Sequence, residues 1–170
     1  AGLVAGGLPG GRRLDDDADR ATVAEAWGEL PEAPGRDLHA ILTDAAAGTI
    51  KVLYLLDVDL VRDTASPDLV TKALKKAFVV CHETASTATT ELADVVLPVT
   101  ASQERAGTRT NWEGRHQQFS LALEGPQLVQ DDWEVLVQVA GLLGGDLGFS
   151  DLDGLRADMA RLAPRAARDW

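Results

Sequence analysis

The chain has 170 residues, one cysteine and a formal net charge of −11. That length suits one domain of about 100–200 residues with a core of its own, and an apolar share of 45% argues against wholesale disorder. The acidic balance disfavours nucleic acid and anionic membranes as partners, the single thiol excludes an intrachain disulfide and any cysteine-built zinc or iron–sulfur centre, and no apolar run reaches the ~18–20 residues that span a bilayer.

The opening, AGLVAGGLPGGRR, is rich in glycine and has no initiator Met. It reads as a linker and as the cut edge of a longer polypeptide. A short helix is expected over Ala18 to Trp27, with Gly28 free to take a left-handed cap conformation. LPEAPG breaks the chain, and a second helix is expected from about Asp37 to Ala47, with Leu38, Ile41, Leu42 and Ala45 on one face and Gly48 beyond its end.

Residues 49–56, TIKVLYLL, form a short, β-branched and nearly continuous apolar run. Strands buried on both faces of a parallel sheet read this way. Ser66-Pro67-Asp68 then opens a helix, with a hydroxyl cap, a proline where its missing N–H is harmless and an acid at the positive end. Leu69, Val70, Ala73 and Leu74 give its buried stripe, and AFVVC (77–81) is the next buried strand. Strand, helix and strand in this order make a βαβ unit with a right-handed crossover. DVVLP at 94–98 adds a third strand after a short helix near Thr89–Leu92.

From Pro98 to Asp132 little regular structure is expected, beyond a period of two in residues 117–124. A stretch of that length without structure tends to have a specific task. Asp131 and Asp132 cap an amphipathic helix with the stripe Trp133, Leu136, Val137, Ala140 and Leu143, and a last helix starts at Ser150 with Asp153 completing its capping box. The expected organisation is a linker with a short helix over 1–35, an α/β domain over 36–146 and a C-terminal helix over 147–170.

No pair among His39, His82 and His116 has metal-ligand spacing. His82, beside Glu83 after a strand, is read as a loop histidine with no ligand role, and Cys81 as inert packing at the end of an apolar run. No nucleophile elbow, phosphate loop or dinucleotide fingerprint is present.

The informative stretches are STATTELADVVLP (86–98) and QERAGTRTNWEGR (103–115). They resemble the molybdopterin oxidoreductase superfamily pattern T-x-T-x-x-x-A-D-V-V-L-P followed by E-x-x-G-T-x-x-N-x-E-G-R. The matching positions include Thr87, Thr89, Ala93, Asp94, Val95, Val96, Leu97 and Pro98, then Glu104, Gly107, Thr108, Asn111, Glu113, Gly114 and Arg115. The resemblance spans roughly residues 49–144 and is specific only as a combined pattern. GGLPGGRR, AWGELPEAPGRDLHAIL and NWEGR point further, to the large iron–sulfur subunit (the G subunit) branch of bacterial respiratory complex I, NADH-quinone oxidoreductase.

The resemblance implies an α/β fold, a Rossmann-like, mostly parallel sheet flanked by helices. It also implies a non-catalytic scaffold segment in an enzyme that passes electrons from NADH to quinone. The redox clusters, 2Fe-2S and 4Fe-4S, would lie in other parts of the subunit, the partners would be other hydrophilic-arm subunits, and the place would be the cytoplasmic side of a bacterial membrane. The pterin is expected to be lost, so no metal or cofactor is expected in this segment. Thr87, Thr89, Asp94, Glu104, Thr108, Asn111, Glu113 and Arg115 would then be vestiges of a pterin-lining loop.

One departure bears on this. Cofactor-binding relatives carry a G-x-N-P turn after the first strand, whereas here LLDVDLVRD follows. Asp57 and Asp59 put carboxylates at a strand end where ligands of open α/β sheets sit. They either repel a phosphate-bearing cofactor or cap the next segment, and both readings stay open. Gly107, Gly114, Thr108, Asn111 and Arg115 can hold an irregular loop by themselves, and the structural reading of that loop is preferred. The rival reading is the cofactor-binding region of a molybdenum or tungsten enzyme such as a formate dehydrogenase or nitrate reductase. A free-standing binding module comes third.

Overall fold

A computed structural model describes residues 7–111 and 115–163, without the side chains of Thr110 and His116. The glycine-rich start is not a bare linker. Strand β1 (Gly7–Leu8) pairs antiparallel with β2 (Arg12–Arg13) across a 3-10 turn, Pro9–Gly11. Gly10 and Gly11 both take positive φ there, which a side chain would oppose. Helix α1 (Asp17–Trp27) starts where the Asp16 carboxylate accepts from the Asp19 N–H, and it stops at Gly28, φ 79°. Leu8, Leu14 and Val23 bury together, with Leu30 against them.

Helix α2 (Leu38–Ala46) is capped by Asp37, whose carboxylate accepts from the Ala40 N–H at 2.8 Å. Strand β3 (Val52–Leu56) follows, then a single turn, α3 (Leu60–Asp63), that the sequence did not announce. Helix α4 (Pro67–Lys76) has Pro67 in its first turn, as expected, but the Ser66 hydroxyl makes no capping bond. Strand β4 (Phe78–Glu83) runs two residues past the apolar segment, through His82 and Glu83. A 3-10 turn (Thr90–Leu92) leads to β5 (Val95–Pro98).

Strands β3, β4 and β5 form a parallel sheet in that order. The register pairs Leu53 with Val79 and Tyr54 with Val80. Leu53 and Val79 are buried against Leu42 and Ala45 of α2 and against Val70, Ala73 and Leu74 of α4, with Leu92 and Ala93 alongside. Each Val or Leu removed from water there contributes about 1.5–3 kcal/mol. The two-sided burial expected of β3 does not occur: its pattern alternates, and Val52, Tyr54 and Leu56 are exposed. Helices α2, α3 and α4 pack on the Leu53–Val79 side, so β3 has one buried face and one exposed face.

The segment expected to be irregular contains a hairpin. Strand β6 (Gly107–Thr110) pairs antiparallel with β7 (His116–Phe119), Gly107 opposite Phe119. A Cβ on Gly107 would sit 2.9 Å from the tip of the Phe119 ring, so the ring would have to shift to admit a side chain there. Arg109 stands 5.7 Å over the same ring. Helix α5 (Asp132–Leu142) begins where Glu134 accepts from the Asp131 N–H at 2.9 Å. Its expected stripe is weaker than the sequence suggests: no α5 residue is fully buried, Trp133 is half-buried, and Leu143 lies past the helix end and is exposed. Helix α6 (Leu152–Leu162) is capped by Asp151, which accepts from the Gly154 N–H at 2.7 Å, and not by Ser150.

By contact density the chain falls into two units. One holds residues 36–106 and 120–135, and therefore the parallel sheet. The other holds residues 1–35, 107–119 and 136–170, and therefore the hairpin.

Candidate functional site

The carboxyl ends of a parallel sheet gather side chains from separate parts of the chain, and ligands of open α/β sheets sit there. In this sheet the end of β4 carries His82, fully buried. Its two ring nitrogens are both engaged. Nδ1 lies 2.9 Å from Oδ1 of Asp132, and Nε2 lies 2.7 Å from the Tyr54 hydroxyl on β3. An ionised carboxylate only accepts, so Nδ1 carries the proton. In the neutral ring Nε2 is then bare and accepts from Tyr54. The second oxygen of Asp132 accepts from the Arg105 guanidinium, which also stands 4.0 Å from Asp57. A chain of contacts thus runs Tyr54, His82, Asp132, Arg105, Asp57.

Its surroundings are acidic. Glu83, next along β4, is buried, and its carboxyl is pushed up by burial first and then by Asp57, while the Thr84 backbone N–H pulls the other way. Asp59 and Asp132 add to the upward push. Asp57 takes φ 50°, a left-handed conformation that glycine adopts freely and aspartate at some cost. Asp59 caps α3 and accepts from the buried Thr89 hydroxyl at 2.6 Å. Tyr54 is itself pushed up, by desolvation and then by Asp132. Burial first, then Glu83, raises the Cys81 thiol, which suits an inert packing role.

His82 is therefore a correction to the sequence reading. It lies in a strand and not in a loop, and it sits at the centre of a converging polar set. The apolar run ends at Cys81, but the ladder continues: His82 pairs with Leu97 and Glu83 with Pro98. Groups of His, Cys, Asp and Glu that could hold a metal ion are absent among the described residues.

Within the sheet-bearing unit, Thr87, Thr89, Asp94 and Glu104 do not converge. Thr89 reaches the Asp57–Asp59 end of the sheet. Thr87 exchanges hydrogen bonds with Thr90, each backbone N–H donating to the other's hydroxyl. Asp94 works at the opposite, amino end of the sheet, accepting from the Val79 N–H at 2.7 Å. Glu104 closes a turn by accepting from the Ala101 N–H at 2.9 Å. Thr108 is an exposed hairpin residue paired with Gln118, and Asn111 accepts from the Arg115 N–H at 2.9 Å. Arg115 is exposed. Glu113 lies outside the described residues. The motif thus distributes itself over turns, a hairpin and both ends of the sheet.

The molybdopterin oxidoreductase family model matches residues 6–142. The chain belongs to that family. The G subunit of NADH-quinone oxidoreductase from Mycobacterium bovis is 42% identical over 95% of the chain, and the Streptomyces coelicolor protein of that name is 40% identical over 98%. A putative formate dehydrogenase of Bacillus subtilis is 34% identical over 98% of the chain. The chain spans only 21%, 21% and 17% of these relatives' own lengths. Acetylene hydratase from Pelobacter acetylenicus superposes with a TM-score of 0.63 at 23% identity, over 90% of this chain and 22% of that one, which supports the fold.

Family membership raises the question of a pterin cofactor, whose phosphates need cations or free backbone N–H groups. The carboxyl edge offers Asp57, Asp59, Glu83 and Asp132 instead. Its cation, Arg105, is already committed to Asp132, and Glu83 is held up by like charges. This donor set does not fit a phosphate-bearing group.

Proposed function

We propose that this chain is a segment of the large iron–sulfur subunit of a bacterial NADH-quinone oxidoreductase, complex I, and that it serves there as scaffold. One observation carries the scaffold reading. The carboxyl edge, where family chemistry would sit, is taken up by the chain's own Tyr54–His82–Asp132–Arg105 contacts and ringed by carboxylates. The likeness to the Mycobacterium bovis G subunit over 95% of the chain supports the choice of parent.

In that parent, electrons from NADH pass through 2Fe-2S and 4Fe-4S clusters held by other parts of the subunit on their way to quinone. This segment holds no pterin and no metal. Its partners are other hydrophilic-arm subunits, at the cytoplasmic face of the membrane. No helix among the described residues is long and apolar enough to cross a membrane, which suits a peripheral position.

The test is to tag the parent polypeptide, extract membranes with mild detergent and identify what co-purifies. NADH-dependent quinone reduction and the flavin-bearing complex I subunits are expected. A tagged protein that purifies without them and oxidises formate would overturn the reading. A cofactor-binding enzyme region is the second reading, and the 34% identity to a putative formate dehydrogenase favours it.

A further inference from the structure

All four lysines of the chain, Lys51, Lys72, Lys75 and Lys76, lie in one short stretch of a sequence whose net charge is −11. All four are exposed. Lys72, Lys75 and Lys76 are three and four residues apart, so they share the side of α4 that faces away from its buried Val70, Ala73 and Leu74. Lys51 directly precedes β3 and reaches the same ground. A Cβ built on Gly48 would sit 2.9 Å from Cε of Lys76 and 3.9 Å from Nζ of Lys51, so the two side chains meet over the end of α2.

The chain's own acids do not answer this charge. Six arginines stand in ion pairs with aspartates, whereas no lysine does among the described residues. Asp44, the acid within α2, is taken by Arg36. Like charges at helical spacing oppose one another. The helix macrodipole accounts for Lys75 and Lys76, in the last turn of α4, but not for Lys72 before it or for Lys51, which is outside the helix. Exposed charges that repel one another gain when opposite charge is brought to them.

We propose that Lys51, Lys72, Lys75 and Lys76 form the docking surface for an acid-rich segment of a partner subunit. The proposal rests on the reading that the chain is one part of a multi-subunit assembly. The chemistry selects a protein. Lysine is a point charge on a flexible stem, and these four bring neither an arginine fork nor a helix N-terminus that would hold a phosphate in place. A nucleic acid or an anionic membrane extends beyond the patch and meets the chain's overall negative charge. An acidic protein segment is local, and at a screening length of ~8 Å it senses the lysines more than the rest of the chain. Lys51 and Lys76 also mark the amino end of the sheet, away from the carboxyl edge where Arg105 is already held.

The experiment uses the intact tagged parent complex. A carbodiimide joins a lysine amine to a carboxylate only where the two touch, and mass spectrometry identifies the joined peptides. The expected result is that most product containing these lysines links them to aspartate or glutamate of another subunit. Lys51→Glu combined with Lys76→Glu should lower recovery of that subunit with the complex by about tenfold. Lys51→Arg combined with Lys76→Arg keeps the charge and should retain it. The cross-linking in the unmodified complex stands whether or not the charge-reversed variant folds.

Full acetylation of all four lysines in the intact complex by an amine-reactive ester would mean that the patch is open to water, and would overturn the proposal. Links only to acids of the same polypeptide would overturn it too, as would links to a second copy, revealed by mixing isotopically labelled and unlabelled chains. Protection from acetylation that disappears when lipid is stripped, with no carboxylate link, would point to an anionic lipid surface and equally overturn it. Failure of the scaffold reading shows itself separately, as the absence of flavin-bearing subunits from the purified material.

Discussion

Replacing Tyr54 with Phe removes one hydroxyl and leaves the ring. Its partner, Nε2 of His82, belongs to a side chain with no exposed surface, so water reaches it only through the space the hydroxyl vacates. A buried group left without its partner costs about 1–3 kcal/mol, more than the ~0.5–1.5 kcal/mol net value of a typical hydrogen bond. Because the Tyr54 side chain is partly exposed, the lower half of that range applies, and Tyr54→Phe should cost about 1–2 kcal/mol.

In a His82→Phe background the ring remains but the bare nitrogen is gone. Tyr54 keeps access to water and Asp132 keeps Arg105, so Tyr54→Phe should then cost less than about 0.5 kcal/mol. Denaturant melts of the four proteins at neutral pH, followed by far-ultraviolet circular dichroism, give the coupling directly. A coupling of about 1 kcal/mol is expected. Equal costs in the two backgrounds, or a Tyr54→Phe effect below about 0.3 kcal/mol, would refute the idea that the histidine depends on this hydroxyl.

Glu83→Gln tests the acidic edge. The Glu83 carboxyl is raised in the fold, so its protonated form is favoured there, and native stability falls as pH rises from the ordinary carboxylate range through the raised value. The variant should be more stable than wild type at neutral pH and show a flatter pH profile on that rise; a destabilised variant at pH 7 would contradict the electrostatics. Trp133→Ala should cost about 1–3 kcal/mol, short of the ~3–5 of a core aromatic, because the ring is half-buried and holds Asp131 through its N–H at 3.3 Å. A loss above about 4 kcal/mol would mean that the ring is fully packed. Gly107→Val should weaken the β6–β7 hairpin, because a branched side chain forces the Phe119 ring out of its place; amide exchange across residues 107–110 should quicken, and unchanged protection would refute the steric conflict.

Local signals carried much of the fold. Gly28, Asp37 and Pro67 each do at one position what the sequence says they do, because a positive φ, a capping carboxylate and a missing N–H are properties of single residues. The hairpin was hidden because GTRT and HQQF are polar and their pairing is a relation between strands. The open face was hidden for a related reason: an apolar run states what a face prefers and not what lies on it. The polar chain at the sheet edge was least legible. Tyr54 and His82 are 28 residues apart and His82 and Asp132 are 50 apart, and only the strand register brings them together. A signal did exist: His82 and Glu83 directly continue a buried strand, at the end where open sheets collect functional groups.

The central claim is that a molybdopterin-family sheet here serves as scaffold without its cofactor. The most direct test is to quantify pterin in the tagged parent complex, by oxidative release and fluorescence, against bound flavin in the same preparation. Background pterin is predicted in complexes that contain flavin and reduce quinone. One equivalent of pterin per parent polypeptide, lost together with turnover when Asp132 or His82 is replaced, would contradict the claim.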